Sequence, residues 1–396
     1  MYGSLPEALN WIKHTVLLAV KGPGLRWQPR RVGGPHYGAA VATLRDVSLL
    51  RLAAQRLVGE RHPTVAATVR TMTALQGQDL PGVLCSAALR TDRGSLTGVR
   101  AAMDAGEVVR SWPMRGTLHL VAAEDLGWMI AIGAPRVATS AARRQRELGL
   151  DNATLSKSER LAAGALAAGR ALRRRDLFAV WQAAGISTEG QRGAHLVGHL
   201  AVNRVVCLGP TAGSEQALVL LDEWVPRPRR LAGDEAVAAW ALRYFRSHGP
   251  ATVADFAWWT GLKISDSRAA LAAAADQLER LDVGDATYWL DPATPARLDT
   301  CRAEAKAVHL LPGFDELLLG YRDRSAVLDP QHADRVIPGG NGMFLASVVA
   351  GGRVVGTWRR PPRGSDAGPE ATPFTTFGRS VPAAIARRWA AYPRDR

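Results

Sequence analysis

Lysine is almost absent: Lys13, Lys21, Lys157, Lys263 and Lys306 are the whole complement, and every other basic side chain is an arginine. Cysteine is scarce too. Cys85, Cys207 and Cys301 are odd in number, far apart and form no CxxC pair, which argues against a disulfide framework or a structural zinc site and points to a reducing, cytoplasmic setting. The longest apolar run near the start, Thr15 to Val20, is far short of the roughly 20 residues of a membrane span, and no small-residue cleavage site follows it. The sequence therefore predicts neither a signal peptide nor a transmembrane helix. Also missing are a GxxxxGK[ST] phosphate loop, a GxGxxG between strand and helix, HExxH and GxSxG. NTP and dinucleotide chemistry are disfavoured on that ground, and no cofactor is called for.

Positive charge is what the sequence has in excess. Fifty Lys and Arg face 36 Asp and Glu, a formal net charge of +14. Such a field suits a polyanion, nucleic acid above all, although arginine- and alanine-rich chains also arise from GC-rich genomes. The hydrophobic fraction of 47% is that of a folded chain, and 396 residues suffice for two or three domains.

Residues 1–45, rich in Gly, Pro and Arg without periodicity, read as a disordered extension. From Asp46 one pattern recurs three times. Residues 46–150 carry a helix over 47–58 capped by Asp46, a second from Pro63-Thr64 through Leu75, a third over 95–105, and a hairpin from Val108 to Val121 with Arg115 at its tip. Residues 151–230 repeat the order, with a capping box at Ser156 and Glu159, a short helix from Arg173 to Gly185, a helix capped by Thr188, and a hairpin from Val205 to Leu221. Residues 231–295 repeat it again, with Thr252 capping Val253–Thr260, a helix over Ser265–Leu281 and a wing ending at Leu290. Helix, helix, helix, hairpin is the order of a winged helix. Residues 296–396 turn to β segments at Val308–Pro312, Val336–Gly340, Met343–Val349 and Arg353–Trp358, with a last helix near 383–391. The predicted fold class is α+β, mostly helical: three tandem winged-helix motifs and a small C-terminal β domain.

Few residues announce chemistry. His195 and His199 stand one helical turn apart without a third ligand, so no metal site is predicted. Gly339–Gly342 reads as a tight turn. Phe314-Asp315-Glu316 and Arg322-Asp323-Arg324 read as solvated or structural ion pairs. Gln76 and Gln78, flanking Gly77, read from the residues alone as the polar end of the second helix.

Longer stretches resemble a known family. Leu52-Ala-Ala-Gln-Arg-Leu57, Leu75-Gln-Gly-Gln-Asp79, Ser111-Trp-Pro-Met-Arg-Gly-Thr-Leu-His-Leu-Val-Ala122, Gly249-Pro-Ala-Thr252, Phe256-Ala-Trp-Trp259, Leu310-Leu-Pro-Gly-Phe-Asp315 and Tyr321-Arg-Asp-Arg324 are similar to the AlkZ/YcaQ-like family of bacterial winged-helix DNA glycosylases. The resemblance implies three winged helices in a C shape around DNA, with a Gln-x-Gln catalytic pair that Gln76 and Gln78 match. The middle position, usually aliphatic in that family, is Gly77 here, which predicts a looser backbone around the pair. It further implies hydrolysis of the N-glycosidic bond of a purine alkylated at N7 or N3, by a monomer acting on damaged double-stranded DNA. Bulky adducts or interstrand crosslinks, and either base excision repair or self-resistance to a genotoxic natural product, fall within its scope. A cationic base needs no general acid to leave, so two neutral carboxamides that orient water suffice. Asp79 is a secondary candidate as general base, with a turn or cap role as its competitor. Arg115, Thr117 and His119 on the first wing are candidate DNA contacts, β-pairing being the competing role for the last two. A non-catalytic DNA-binding protein or transcriptional regulator is the alternative function.

Overall fold

The structure of the chain, a computed structural model, describes residues 42–213, 215–362 and 367–394. The extension expected over 1–45 thus falls outside the described residues up to position 41. Helix α1 (Leu44–Ala54) starts two residues before Asp46. Its cap is Thr43, and Asp46 closes the reciprocal half of the box by accepting the Thr43 N–H at 3.0 Å. Helix α2 (Val65–Met72), capped by Thr64, ends at Met72 rather than Leu75. Thr73 turns to a φ of +67°, and the chain enters the short strand β1 (Ala74–Gln76). Asp79 then caps α3 (Leu80–Leu89), followed by α4 (Leu96–Asp104) and the hairpin β2 (Val108–Met114) and β3 (Thr117–Ala122). The hairpin turn is Arg115-Gly116, both with positive φ, the conformation that matches the twist of the flanking strands.

A 25-residue helix, α5 (Ala123–Glu147), runs on from β3. The second helical group is α6 (Asn152–Leu166), α7 (Arg174–Ala183) and α8 (Arg192–Val202), closed by the hairpin β4 (Val206–Ala212) and β5 (Glu215–Leu220). Two expected caps are corrected. Asp151, not Ser156, caps α6, because it is Asp151 that stands ahead of the first turn and accepts the Thr154 N–H at 2.7 Å. Thr188 lies four residues before the start of α8, and its hydroxyl instead takes a hydrogen bond from Gln182.

After α9 (Leu221–Trp224), the third group comprises α10 (Gly233–His248), α11 (Val253–Thr260) and α12 (Ile264–Ala274), then the hairpin β6 (Glu279–Val283) and β7 (Ala286–Leu290). The Thr252–Asp255 box and a left-handed Gly261 bound α11 as expected. The helix expected to reach Leu281 stops at Ala274, because Glu279–Val283 is taken up in the ladder with β7. The remainder is α13 (Thr294–Ala305), β8 (Val308–Leu311), α14 (Glu316–Leu319), α15 (Ala333–Val336), β9 (Ser347–Ala350), β10 (Arg353–Arg359), β11 (Glu370–Pro373) and α16 (Val381–Ala390). Val336–Gly340 is no strand. Pro338 lacks the amide a ladder needs, and Gly339 and Gly340 take positive φ in a 3₁₀ turn.

β8 to β11 form an antiparallel sheet in the order β11-β10-β9-β8. The first two hairpins are joined: β1-β3-β2-β4-β5 is one five-stranded sheet, bridged at Arg110 and Leu208. The core that positions the site packs Ala74, Met114 and Val121 of this sheet against Trp128 of α5, Trp240 and Tyr244 of α10, and Trp259 of α11. No helix among the described residues is long and apolar enough to cross a membrane.

Candidate active site

Gln76 ends an edge strand. β1 pairs antiparallel with β3, Ala74 opposite Val121, Leu75 opposite Leu120 and Gln76 opposite His119. The chain then leaves the ladder but does not come loose. The Gly77 N–H donates to Leu118 O at 2.7 Å, and Gln78 Oε1 accepts the Leu118 N–H at 2.8 Å. Arg110, reaching across from β2, donates Nε to Gly77 O at 2.6 Å, Nη2 to Gln78 O at 3.3 Å and Nη1 to Gln216 Oε1 at 3.1 Å. The looser backbone expected at Gly77 is therefore corrected: the loop is held on both sides.

Glycine has a steric reason here. A Cβ at position 77 would sit 3.3 Å from the His119 backbone and the Leu120 nitrogen, tight against a strand that cannot easily yield. Gly77→Val is accordingly expected to destabilise the fold by about 1–3 kcal/mol through overpacking, read as a lowered urea midpoint; a midpoint at or above wild type would show that β3 gives way.

The two carboxamides are not equivalent. Gln78 Oε1 is engaged with β3, whereas Gln76 is buried and its Oε1 has no hydrogen-bond partner among the described residues. Buried carbonyls are rarely left in this state. Gln76 is fixed instead through its backbone: its N–H donates at 2.7 Å to Oε1 of Glu316, the first residue of α14. Glu316 is itself buried, and its Oε2 accepts from Trp259 Nε1 at 3.0 Å and faces His248 Nε2 at 3.4 Å.

Opposite Gln76, His119 Nδ1–H donates to Thr117 O at 2.9 Å, which leaves Nε2 to accept from Arg115 Nη2 at 3.3 Å. Burial, reinforced by the Arg115 charge, holds the His119 pKa well below the ordinary histidine value, so the ring is neutral. Burial also lowers the Arg115 guanidinium to about 10, partly offset by Glu316. Thr117 Oγ1 and Arg115 Nε are buried without partners among the described residues. Asp79 caps α3, accepting the Gly82 N–H at 3.1 Å; burial pushes its carboxyl up, against the pull of that hydrogen bond and of Arg110 and Arg360.

The end of the edge strand and the neighbouring hairpin thus gather Gln76, Gln78, His119 and Arg115, backed by a buried carboxylate from a segment 240 residues away. The profile of the AlkZ-like DNA glycosylase family matches residues 69–394, which include all of these side chains. The chain belongs to the AlkZ-like DNA glycosylase family. It is 26% identical over 332 residues to a Streptomyces sahachiroi interstrand DNA cross-link repair glycosylase, spanning 80% of this chain and 88% of that protein. The solved structure of the Streptomyces sahachiroi DNA glycosylase AlkZ superposes with a TM-score of 0.73 at 24% identity, covering 89% of this chain and 98% of that one.

Sequence reasoning missed Glu316 and Arg110. Asp315 and Glu316 read as solvated or structural ion pairs; both are buried, and Asp315 pairs with Arg90 at 2.8 Å. Arg110 sits in an ordinary strand alternation, and nothing in its neighbourhood signals that its guanidinium turns to the Gln76–Gln78 loop. His195, buried in α8, and His199, 3.6 Å from Glu159, lie outside the cluster around Gln76. Among the described residues no group of three or more His, Cys, Asp or Glu could hold a metal ion.

Proposed function

We propose that this chain is a DNA glycosylase that hydrolyses the N-glycosidic bond of cationic N7- or N3-alkylated purines in double-stranded DNA, bulky adducts and interstrand crosslinks included. The observation that carries the reading is the buried, unpartnered carbonyl of Gln76, anchored through its own N–H to Glu316, in a chain of this family. A cationic purine leaves as a neutral base, and the deoxyribose becomes oxocarbenium-like as it departs. Gln76 Oε1 orients the attacking water and faces the developing charge. Gln78 keeps the loop on β3 and offers its amide to the same water. The Glu316 carboxylate, held behind Gln76, adds a fixed negative field of the sign the transition state needs. Asp79 has the role of a cap in this mechanism.

Three winged-helix modules over 46–150, 151–230 and 231–295, with residues 296–396 as a β domain, follow from the recurring helix-and-hairpin order. In this reading a monomer presents the hairpins and the cleft to the duplex, without preference for sequence, in base excision repair or in self-resistance to an alkylating natural product.

The test is release of N7-alkylguanine from duplex DNA followed by alkaline strand cleavage. Wild-type protein is expected to release base above the spontaneous rate. Gln76→Ala is expected to abolish the excess and Gln78→Ala to reduce it by about 10²-fold. DNA binding without release from small or bulky adducts would instead favour a non-catalytic binding protein or regulator.

A further inference from the structure

Trp258, on α11 beside the buried Trp259, carries two arginines. The guanidinium carbon of Arg115 lies 4.9 Å from its ring centroid, and that of Arg324 lies 5.0 Å away. Arg324 also stands 5.1 Å over the ring of Phe344 and donates Nε to Leu318 O at 2.8 Å. The three residues come from the first wing turn, the third helical group and the segment after α14, so the fold brings them together on purpose of packing rather than by neighbourhood in the chain.

Both arginines are partly buried, and among the described residues neither closes an ion pair with a carboxylate. Glu316 acts electrostatically on Arg115, and Asp255 and Asp323 on Arg324, from beyond contact distance. Burial and, after it, the charge of Arg115 together lower the Arg324 guanidinium to about 10, against the pull of Asp255 and Asp323. Two like charges withdrawn from water, each repelling the other and neither neutralised, are unfavourable for the free protein. Hydrogen bonds engage Nε of Arg324 and Nη2 of Arg115, which leaves Nη1 and Nη2 of Arg324 and Nη1 of Arg115 as donors for a phosphate. Arg115 additionally keeps a buried, unpartnered Nε, and its Nη2 touches His119, which pairs with Gln76 across the ladder.

We infer that Arg115 and Arg324, both over the ring of Trp258, form a two-arginine clamp for a phosphodiester of the DNA strand that lies beside Gln76. The clamp rests on the reading of the cleft as a DNA site and adds Arg324 and Trp258 to it. It would hold the backbone from two directions, the wing turn on one side and the C-terminal region on the other, and so fix the register of the target nucleotide without reading its base.

Binding of a short undamaged duplex, followed by fluorescence anisotropy between 50 and 200 mM salt, tests the clamp without reference to excision. Arg324→Gln is expected to bind roughly tenfold more weakly, with the slope of log affinity against log salt reduced by about 1, equally for different sequences. Arg324→Lys, which keeps the charge, is expected to keep the slope. The thermal midpoint of Arg324→Gln is expected within a few degrees of wild type, since an unneutralised charge has been removed. Unchanged affinity and slope in Arg324→Gln, or a protein that no longer folds, would overturn the clamp and make Arg324 a structural cation. If wild-type protein binds DNA with these salt effects but releases no base, the clamp stands and the glycosylase reading fails; no DNA binding by wild type removes both.

Discussion

Asp315→Ala is expected to lower the stability of the fold by about 3–5 kcal/mol, the effect of leaving a buried cation without its partner. Asp315 Oδ2 and Oδ1 accept from Arg90 at 2.8 and 2.9 Å, and Asp315 also accepts from Ser86 Oγ at 2.7 Å and from Leu317 N at 3.0 Å. Both charged side chains are fully buried. Arg90 extends the network through Gln55, whose amide donates to Tyr321 Oη, and Tyr321 in turn donates to the His248 carbonyl. Removing the carboxylate strands a guanidinium whose Nε is already unpartnered. Burial alone would push the Asp315 carboxyl up, but the Arg90 charge and the hydrogen bonds outweigh it and hold the carboxyl below its ordinary value. Its contribution is therefore complete at neutral pH and is lost in acid, as pH falls through the lowered folded-state value. Urea unfolding at pH 7 and at low pH measures both points: the deficit of the variant should be large at pH 7 and shrink in acid. A deficit under about 1 kcal/mol at pH 7 would mean that Arg90 finds another partner and that the pair is not the hub described here.

Glu316→Gln separates charge from shape at the candidate active site. The amide retains an oxygen for the Gln76 N–H and nearly the same volume, yet it removes the one negative charge bonded to that strand end. Arg115 then stands unopposed, and the local field turns against a cationic sugar. The single-turnover excision rate is expected to fall by about 10²-fold or more, while affinity for undamaged DNA and the thermal midpoint stay near wild type, because a buried charge has been neutralised rather than a cavity opened. A merely structural Glu316 would show the reverse, a lowered midpoint with the rate per folded molecule intact. A rate within about threefold of wild type sinks the electrostatic role.

Much of the fold was legible where a residue type has one local use. Thr64 opens α2, Thr252 caps α11 and Gly261 ends it, because these side chains and this φ serve the helix ends directly; at α1 the expected cap Asp46 is instead the third helical residue of a box that Thr43 caps. The hairpin at Arg115-Gly116 was legible from alternation and a turn. β1 was not, since three residues are too few to show a period of two, and Thr71 to Leu75 continues the apolar spacing of α2. The long helix α5 hides behind Gly133 and Pro135, which lie within it. Val336–Gly340 looked like a strand because Val and Ile precede a turn signal, and Pro338 decides otherwise.

The candidate site divides in the same manner. Gln76 and Gln78 stand out as a pair within three residues, and the resemblance to a glycosylase family gives them a role. Which of the two keeps a free carbonyl depends on Leu118, and what holds Gln76 depends on Glu316. Contacts of that kind join residues whose separation in sequence carries no pattern, so only the folded chain reveals them.

Arg110 has a consequence for motion. One guanidinium grips the carbonyls of Gly77 and Gln78 on one side and Gln216 of β5 on the other, at the point where the first two hairpins share a sheet. Fraying of the second hairpin and slackening of the Gln76–Gln78 loop are thereby one cooperative event. Under the proposed function, a duplex settled against both hairpins would damp their breathing together, and the loop that carries Gln76 and Gln78 would grow still with them.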